Sequence, residues 1–177
     1  TVNGIISTES AATITATPAN LLITAAGKFQ LTGSGLNIPT ATWQTGSTCE
    51  IAVTNGGILN GLGQSFSNFI VNCPNLQNDI QCNGNLTLVN DNFSIINTNY
   101  AAGKKFSLTN TTAFTLNLYG DVSISNNACL DITSGIPYTS GIATLNLYNN
   151  LTISGNGVLN QTGSSEAFIN FNKLTGN

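Results

Sequence analysis

Two stretches of the chain decide the fold. Residues 116–125 read LNLYGDVSIS, and residues 145–154, which lie 29 positions later, read LNLYNNLTIS. In both stretches apolar and polar residues alternate, which is the period-two pattern of a β-strand. A strand motif that returns at a regular interval is typical of repeat architectures. The sequence therefore predicts stacked strands in which one copy of the motif lies on the next.

Weaker copies of the motif extend the repeat in both directions. Residues 169–172 (INFN) begin a copy 24 positions after residue 145, and residues 80–88 (IQCNGNLTL) resemble a copy 36 positions before residue 116. Ile51 and Val53 align more weakly with Ile80 and Cys82, 29 positions further back. A second pair, residues 25–32 (AAGKFQLT) and 101–109 (AAGKKFSLT), lies about three such periods apart. Spacings of 24 to 36 residues suit a solenoid, whose corner loops vary in length while its strands remain stacked.

We therefore predict one all-β domain over residues 1–177, a single-stranded β-solenoid (β-helix) of about six coils with variable corner loops. The alternative is a β-sandwich of hairpins, but a sandwich gives no reason for a repeat near 29 residues. Gly120 and Asn149 interrupt the alternation, and we expect a corner there, with the positive φ that Gly and Asn tolerate. One set of residues is expected to point inward: Leu116, Leu118, Val122, Ile124, Leu145, Leu147, Leu151 and Ile153.

The composition narrows the class of protein. Only 6% of residues are charged, against roughly 25% in an ordinary soluble domain, while 41% are hydrophobic and the net charge is −3. Asn occurs 27 times and Thr 24 times, and Arg, His and Met are absent. The hydrophobic content argues against disorder, and the scarcity of basic residues argues against nucleic acid as a partner. No apolar stretch approaches the ~20 residues of a membrane-spanning helix, so we expect no membrane insertion.

A series of Gly-, Asn- and Thr-rich motifs resembles a known class of proteins. The motifs are residues 46–51 (GSTCEI), 62–69 (LGQSFSNF), 72–74 (NCP), 83–87 (NGNLT), 150–157 (NLTISGNG) and 169–172 (INFN). This series, spread over roughly residues 30–177, is similar to the repetitive β-solenoid regions of surface proteins that Bacteroidota export through the type IX secretion system. The resemblance implies an extracellular location at the bacterial cell surface and a stalk, display or adhesin-like role. It brings no catalytic residues, and it implies that the chain is a module in, or a fragment of, a longer repetitive protein.

Cysteines are the first candidates for chemistry. Cys49 and Cys73 are 24 residues apart, about one coil, which makes them candidates for a disulfide between neighbouring coils, with free thiols as the alternative. Cys82 lies at an inward position, which favours a buried free thiol. No CxxC pair and no His occur, so we expect no zinc site, no other metal and no cofactor.

Catalysis has few candidate residues. The acids are expected to be separate, solvated surface side chains: Glu9, Glu50, Asp79, Asp91, Asp121, Asp131 and Glu166. Glycoside hydrolysis requires a pair of carboxylates at a defined separation, and no two of these acids share a position in the predicted repeat. We therefore expect a protein that is not an enzyme.

Tyr119 and Tyr148 occupy equivalent outward positions one coil apart. Stacked there, they could contact a glycan or a protein, or they could only stiffen the sheet. The sequence thus favours a non-catalytic structural or adhesive module, a rigid spacer or display surface whose partners are surface glycans or further copies and repeats of itself. Two alternatives remain, a carbohydrate-binding or carbohydrate-active β-helix and a subunit of a fibre or filament.

Overall fold

The structure, a computed structural model, describes residues 1–9, 12–109, 113–134 and 142–172. These residues form an all-β molecule in which every strand pair is parallel. The helical structure among them is a single 3₁₀ turn at Tyr100–Ala102. The hairpins of a β-sandwich would pair antiparallel strands, so the pairing does not match that alternative.

The strands, numbered along the chain, form three main sheets and one small one. The first sheet contains, in spatial order, β1 (Ile5–Thr8), β3 (Lys28–Leu31), β5 (Thr48–Ile51), β7 (Asn68–Asn72), β10 (Phe93–Asn97), β13 (Val122–Ile124) and β16 (Leu151–Ile153). The second contains β6 (Gly57–Ile58), β8 (Ile80–Gln81), β11 (Phe106–Thr109), β14 (Cys129–Thr133) and β17 (Val158–Asn160). The third contains β9 (Leu88–Val89), β12 (Phe114–Leu118), β15 (Ala143–Leu147) and β18 (Ala167–Phe171). The fourth pairs β2 (Leu22–Ile23) with β4 (Thr42–Trp43).

From β7 onward the chain visits the first, second and third sheets in the same order four times. We call each such run of three strands a cycle; the last is β16–β17–β18. This order, with parallel pairing throughout, is compatible with a β-solenoid, because each strand then stacks on its counterpart one cycle earlier.

The inward residues form continuous columns through the stack. In the first sheet one column contains Ile6, Phe29, Cys49, Phe69, Phe93, Val122 and Leu151, each beside the next. The sheets also share a core, because the ring of Phe69 in the first sheet lies 6.2 Å, centroid to centroid, from that of Phe106 in the second. The alternating pattern of the sequence therefore places its apolar residues in one common interior.

The strongest repeat is confirmed residue by residue. Leu116 pairs with Leu145 and Leu145 with Ile169, which reproduces the steps of 29 and 24 residues. Val122 pairs with Leu151 in the same way. The inward positions are buried as expected except in the last cycle, where Leu151 is half-buried and Ile153 is exposed.

Three other alignments were wrong. Ile80 pairs with Phe106 and not with Leu116. Leu116 instead belongs beside β9, because the residue that follows it, Asn117, pairs with Leu88. Ile51 pairs with Val71 rather than aligning with Ile80. Lys28 and Phe106 begin strands of different sheets, so residues 25–32 and 101–109 do not stack. The first steps are shorter than expected, 23 residues from Ile5 to Lys28 and 20 from Lys28 to Thr48, which gives the first sheet seven strands against about six predicted coils.

The corner loops differ in how much their length varies from cycle to cycle. The corner from the third to the first sheet contains three residues each time, at 90–92, 119–121 and 148–150. The corner from the first to the second sheet contains between four residues (125–128) and eight (98–105). Gly120 lies in the three-residue corner as predicted. Glycine is required there by close packing and not by a positive φ. A Cβ atom there would lie 2.1 Å from the carbonyl oxygen of Asp91, a separation that no side chain can adopt without a shift of backbone.

Candidate functional site

The three-residue corner brings Tyr119 and Tyr148 together. Each follows directly on a strand of the third sheet, and the preceding residues Leu118 and Leu147 are paired, so the two tyrosines lie side by side. Their ring centroids are 4.5 Å apart with an interplanar angle of 20°. Tyr119 is 49% exposed and Tyr148 is half-buried. The stack therefore leaves about half of the Tyr119 surface for contact with a partner.

A ladder of asparagine amides runs beside the tyrosines on the same outward face. Asn146 Nδ2 donates a hydrogen bond of 2.9 Å to Asn117 Oδ1, and Asn170 Nδ2 donates one of 2.9 Å to Asn146 Oδ1. The sequence analysis placed Asn117 and Asn146 outward but did not identify the ladder, although the repeated Leu-Asn-Leu motif is its signal. We call the five residues Asn117, Tyr119, Asn146, Tyr148 and Asn170 the Tyr–Asn surface.

The far end of the corner is fixed by a second set of hydrogen bonds. Asn150 donates to Asp121 Oδ1 from its backbone N–H (3.2 Å) and from Nδ2 (2.9 Å). Asn92 donates in the same way to Asn68 Oδ1, at 3.2 Å and 3.1 Å. The recurrence of Asn or Asp immediately before an inward apolar residue is the sequence signal for this arrangement. The bonds between Asn150 and Asp121 hold the loops that contain the two tyrosines in one geometry.

The Tyr–Asn surface is suited to binding rather than to chemistry. Its groups are phenol hydroxyls, carboxamides and aromatic edges, which donate and accept hydrogen bonds or make apolar contacts. Asn146 and Asn170 each donate one of their two amide N–H groups within the ladder and can offer the other, whereas Asn117 only accepts there. Such groups match the hydroxyls of a glycan or the polar groups of a protein surface.

The acids are less separate and less solvated than predicted. Asp131 is fully buried, with 0% exposure, and Glu50 is buried. The Lys105 ammonium lies 2.8 Å from Asp131 Oδ2, and the Lys105 backbone N–H donates to Asp79 Oδ1 at 3.1 Å. Asp79, Lys105 and Asp131 follow one another at intervals of 26 residues, one cycle at this place, and the repeat predicted from the sequence did not align them. Lys28 pairs with Glu50 at 2.7 Å.

The Asp131 carboxylate is occupied by structural contacts. Its Oδ1 accepts from the backbone N–H of Thr162 at 3.0 Å, and its Oδ2 accepts from the Thr162 hydroxyl as well as from Lys105. Lys105 also donates to the Thr162 hydroxyl oxygen at 2.6 Å. A carboxylate with no exposed surface cannot reach a substrate, so this cluster ties three cycles together and offers no acid–base group.

The structure does not bring Cys49 and Cys73 together. All four cysteines are buried free thiols. Cys49 pairs with Phe69 on β7. Cys73 lies four residues after Phe69 in the chain, and at the rise of a β-strand this places it about 13 Å from Phe69. A disulfide needs Cα atoms within about 7 Å, so the predicted Cys49–Cys73 bridge was wrong for this register. The Cys73 thiol instead donates to the carbonyl oxygen of Ile51 at 3.3 Å.

Burial governs the chemistry of these thiols. It raises the pKa of Cys73 to about 12 and that of Cys129 to about 11, from an ordinary value of 9.0. It also raises the pKa of Cys49 and of Cys82 well above that value. Since the thiolate is the reactive form, these cysteines are inert in the folded protein, which agrees with the interpretation of Cys82 as a buried free thiol.

In the described ranges, no group of three or more Cys, Asp or Glu side chains is arranged to hold a metal ion. The same ranges include no helix with the length and apolar character needed to cross a membrane. Comparison with known proteins gives no match to a family model, to a curated protein or to a solved structure.

Proposed function

We propose that the chain is a single-stranded β-solenoid that acts as a non-catalytic structural or adhesive module, a rigid spacer or display surface of an extracellular bacterial protein. One observation carries the proposal: three parallel sheets, visited in a fixed order from β7 onward, share one hydrophobic core, and outward asparagines of the third sheet form a ladder. Seven stacked strands at ~4.8 Å give a rod roughly 30 Å long. The location at the bacterial surface is supported by the low charge and by the resemblance of the Gly- and Asn-rich motifs.

Rigidity is supported by contacts that join neighbouring cycles through side chains as well as backbone. The asparagine ladder and the tyrosine stack do so on the third sheet, and the Lys105–Asp131 pair does so on the second. The absence of a role in catalysis is supported by the state of the two buried acids, Glu50 and Asp131, which are both paired with lysines.

A carbohydrate-binding function is the second candidate, and the exposed tyrosine pair favours it. Tyr119 and Tyr148 place two aromatic rings beside a row of amides, a combination that binds polar ligands with apolar faces. On this alternative, the Tyr–Asn surface is the binding site.

A glycan array separates these candidates. It would compare the unmodified chain, the double variant Tyr119→Ala/Tyr148→Ala and the control Tyr100→Ala, whose tyrosine lies in the 3₁₀ turn. Binding that the double variant loses at least tenfold and the control retains would establish an adhesive, glycan-binding module. No binding by any of the three would favour the spacer, and release of shortened glycan by the unmodified chain would contradict a non-catalytic role.

A further inference from the structure

Phe168 is an exposed aromatic residue on the outward face of the third sheet. It pairs with Thr144 on β15, and Thr144 pairs with Thr115 on β12, both at outward positions. The alternation along β18 agrees, because Ala167 and Ile169 are half-buried while Phe168 is 48% exposed. The Tyr–Asn surface therefore has aromatic residues on both sides of its asparagines, with the tyrosines after them along the strands and Phe168 before them.

The separation of the aromatic residues suits an extended ligand. Asn170 is two residues after Phe168 on β18, and its partner Asn146 is two residues before Tyr148. At the usual rise and spacing of β-strands, the Cα atoms of Phe168 and Tyr148 are about 14 Å apart. A single sugar ring is too short to reach both residues, whereas an extended oligosaccharide reaches both and passes over the asparagine ladder.

The asparagine ladder has unused hydrogen-bonding groups at its two ends. Its bonds run in one direction, from Asn170 Nδ2 to Asn146 Oδ1 and from Asn146 Nδ2 to Asn117 Oδ1. Among the described residues, neither the Asn117 Nδ2 group nor the Asn170 Oδ1 atom has a hydrogen-bond partner. A hydroxyl both donates and accepts hydrogen bonds, so the hydroxyls of a sugar match the donor end and the acceptor end alike.

The strands of this face are electrically neutral. β9, β12, β15 and β18 contain no charged residue, and the net charge of the chain is −3. Tight binding of a sulfated or uronate-rich glycan relies on charge-assisted hydrogen bonds from Lys or Arg. The absence of such residues from these four strands favours a neutral glycan.

The size of the face favours an oligosaccharide over a protein partner. Its three long strands, β12, β15 and β18, cover roughly 250 Å² at the usual strand spacing and rise. A stable protein–protein interface covers about 800 Å² on each partner. A narrow face with aromatic residues on either side of a row of amides therefore fits a short, extended chain of sugars.

We propose that the outward face of the third sheet binds a neutral, linear oligosaccharide that extends from Tyr119 and Tyr148 across the asparagine ladder to Phe168. The aromatic residues contact the apolar C–H groups of sugar rings at the two ends, and the amides bind the hydroxyls between them. This inference rests on the second candidate function, carbohydrate binding, and it adds the class of ligand and one further residue, Phe168. The binding residues belong to three successive cycles and lie along the side of the stack.

Isothermal titration calorimetry of the 177-residue chain tests the class of ligand. The probes are neutral linear oligosaccharides of glucose, mannose, xylose and N-acetylglucosamine, each as a disaccharide and as a hexasaccharide. We expect at least one hexasaccharide to bind at least tenfold more tightly than its disaccharide, because only the longer chain reaches both sets of aromatic residues. A hexasaccharide of galacturonate should bind at least tenfold more weakly than that neutral hexasaccharide, because the face supplies no positive charge.

Phe168→Ala and a matched control, Phe171→Ala, test the position of the ligand. Phe171 lies on the same strand and is 67% exposed, but it pairs with Leu147 at an inward position. We expect Phe168→Ala to weaken binding of the hexasaccharide at least fivefold, whereas Phe171→Ala should change the affinity less than twofold. The double variant Tyr119→Ala/Tyr148→Ala should also weaken binding at least fivefold, since it removes the other end of the site.

Several results would overturn the inference. A hexasaccharide whose binding requires the tyrosines but not Phe168 would leave carbohydrate binding in place and refute the extended site. Tighter binding of the galacturonate than of every neutral probe would show an acidic ligand. Self-association of the chain, detected by light scattering and abolished by Phe168→Ala, would show that the face contacts a protein.

Circular dichroism and a cooperative urea transition verify that each variant folds. Phe168→Leu replaces Phe168→Ala should the latter not fold, since leucine keeps an apolar side chain and removes only the aromatic ring. A folded chain that binds no neutral oligosaccharide would refute the inference and leave the structural module as a spacer. A chain without β-structure would refute the proposed solenoid as well.

Discussion

Gly120 illustrates how a single residue fixes a corner of this molecule. Its Cα passes so close to Asp91 that a Cβ atom would overlap the Asp91 carbonyl oxygen. We expect Gly120→Ala to lower the free energy of unfolding by about 1–3 kcal/mol, the usual cost of forced backbone shifts. Gly63→Ala is the control, because a Cβ at Gly63 meets no atom within 4 Å. Urea denaturation would measure both, and equal midpoints would show that the corner can relax.

Lys105 neutralises the buried Asp131 carboxylate. Replacing one partner of a buried ion pair leaves an uncompensated charge, which costs roughly 3–5 kcal/mol. We therefore expect Lys105→Met to destabilise the fold by about 3 kcal/mol. The neighbouring Lys104→Met should change stability by less than about 0.5 kcal/mol, as surface substitutions do. If the two variants unfold at the same urea concentration, the contact between Lys105 and Asp131 does not stabilise the fold.

The buried thiols make stability depend on alkaline pH. Below pH 9.0 they are protonated in both states. Above it the unfolded chain loses thiol protons that the folded chain keeps, so the folded state binds more protons and stability falls as pH rises. For Cys73 the window runs from 9.0 to about 12, with a slope of about 1.4 kcal/mol per pH unit.

Cys73→Ala should remove that part of the slope when urea unfolding is measured from pH 8 to 11. An unchanged slope would mean that the Cys73 thiol ionises equally in both states. Alkylation of the unfolded, unreduced chain should modify all four cysteines. If two of them resist alkylation, the result would indicate a disulfide between those two.

At the scale of the strand, sequence similarity predicted register correctly only in and next to a repeated apolar-Asn-apolar motif. The pairs β12–β15 and β15–β18 were found because an apolar-Asn-apolar motif recurs there, as Leu-Asn-Leu in β12 and β15 and as Ile-Asn-Phe in β18. Residues 80–82 also alternate apolar and polar residues, but a period of two is common to strands of every sheet and does not say which sheet a strand joins. The outward phase of Tyr119 and Tyr148 was likewise predictable from alternation, whereas the Lys105–Asp131 contact depends on the correct register.

Leu116, Leu145 and Ile169 form one column of the third sheet. Substitutions in this column compare the effect of burial on stability at equivalent positions of different cycles. Leu145→Ala leaves a cavity in a fully buried site and should cost about 2–5 kcal/mol. Ile169→Ala, in the open last cycle, should cost about 1 kcal/mol, because part of that side chain is already in contact with water. Chemical denaturation would compare them, and equal costs would indicate that the last cycle is covered in solution.

Over the whole molecule, stability should vary from cycle to cycle. In stacked repeats each unit contacts only its neighbours, and among the described residues the last cycle has one neighbouring cycle instead of two. We expect backbone amides of β16–β18 to exchange hydrogen at least tenfold faster than those of β10–β12, measured by mass spectrometry at a dilution where the chain is monomeric. Uniform protection would mean that the molecule opens only as a unit.

The two kinds of corner should differ in how well they tolerate inserted residues. The first-to-second corner already accommodates four to eight residues without altering the strands it joins, so insertions there should be accepted, as surface loops generally accept them. The three-residue corner has no such freedom, since Gly120 and the Asn and Asp bonds fill it. Foreign peptides grafted between residues 125 and 128 would therefore be carried on an unchanged scaffold, and natural diversification should concentrate along the same line of loops.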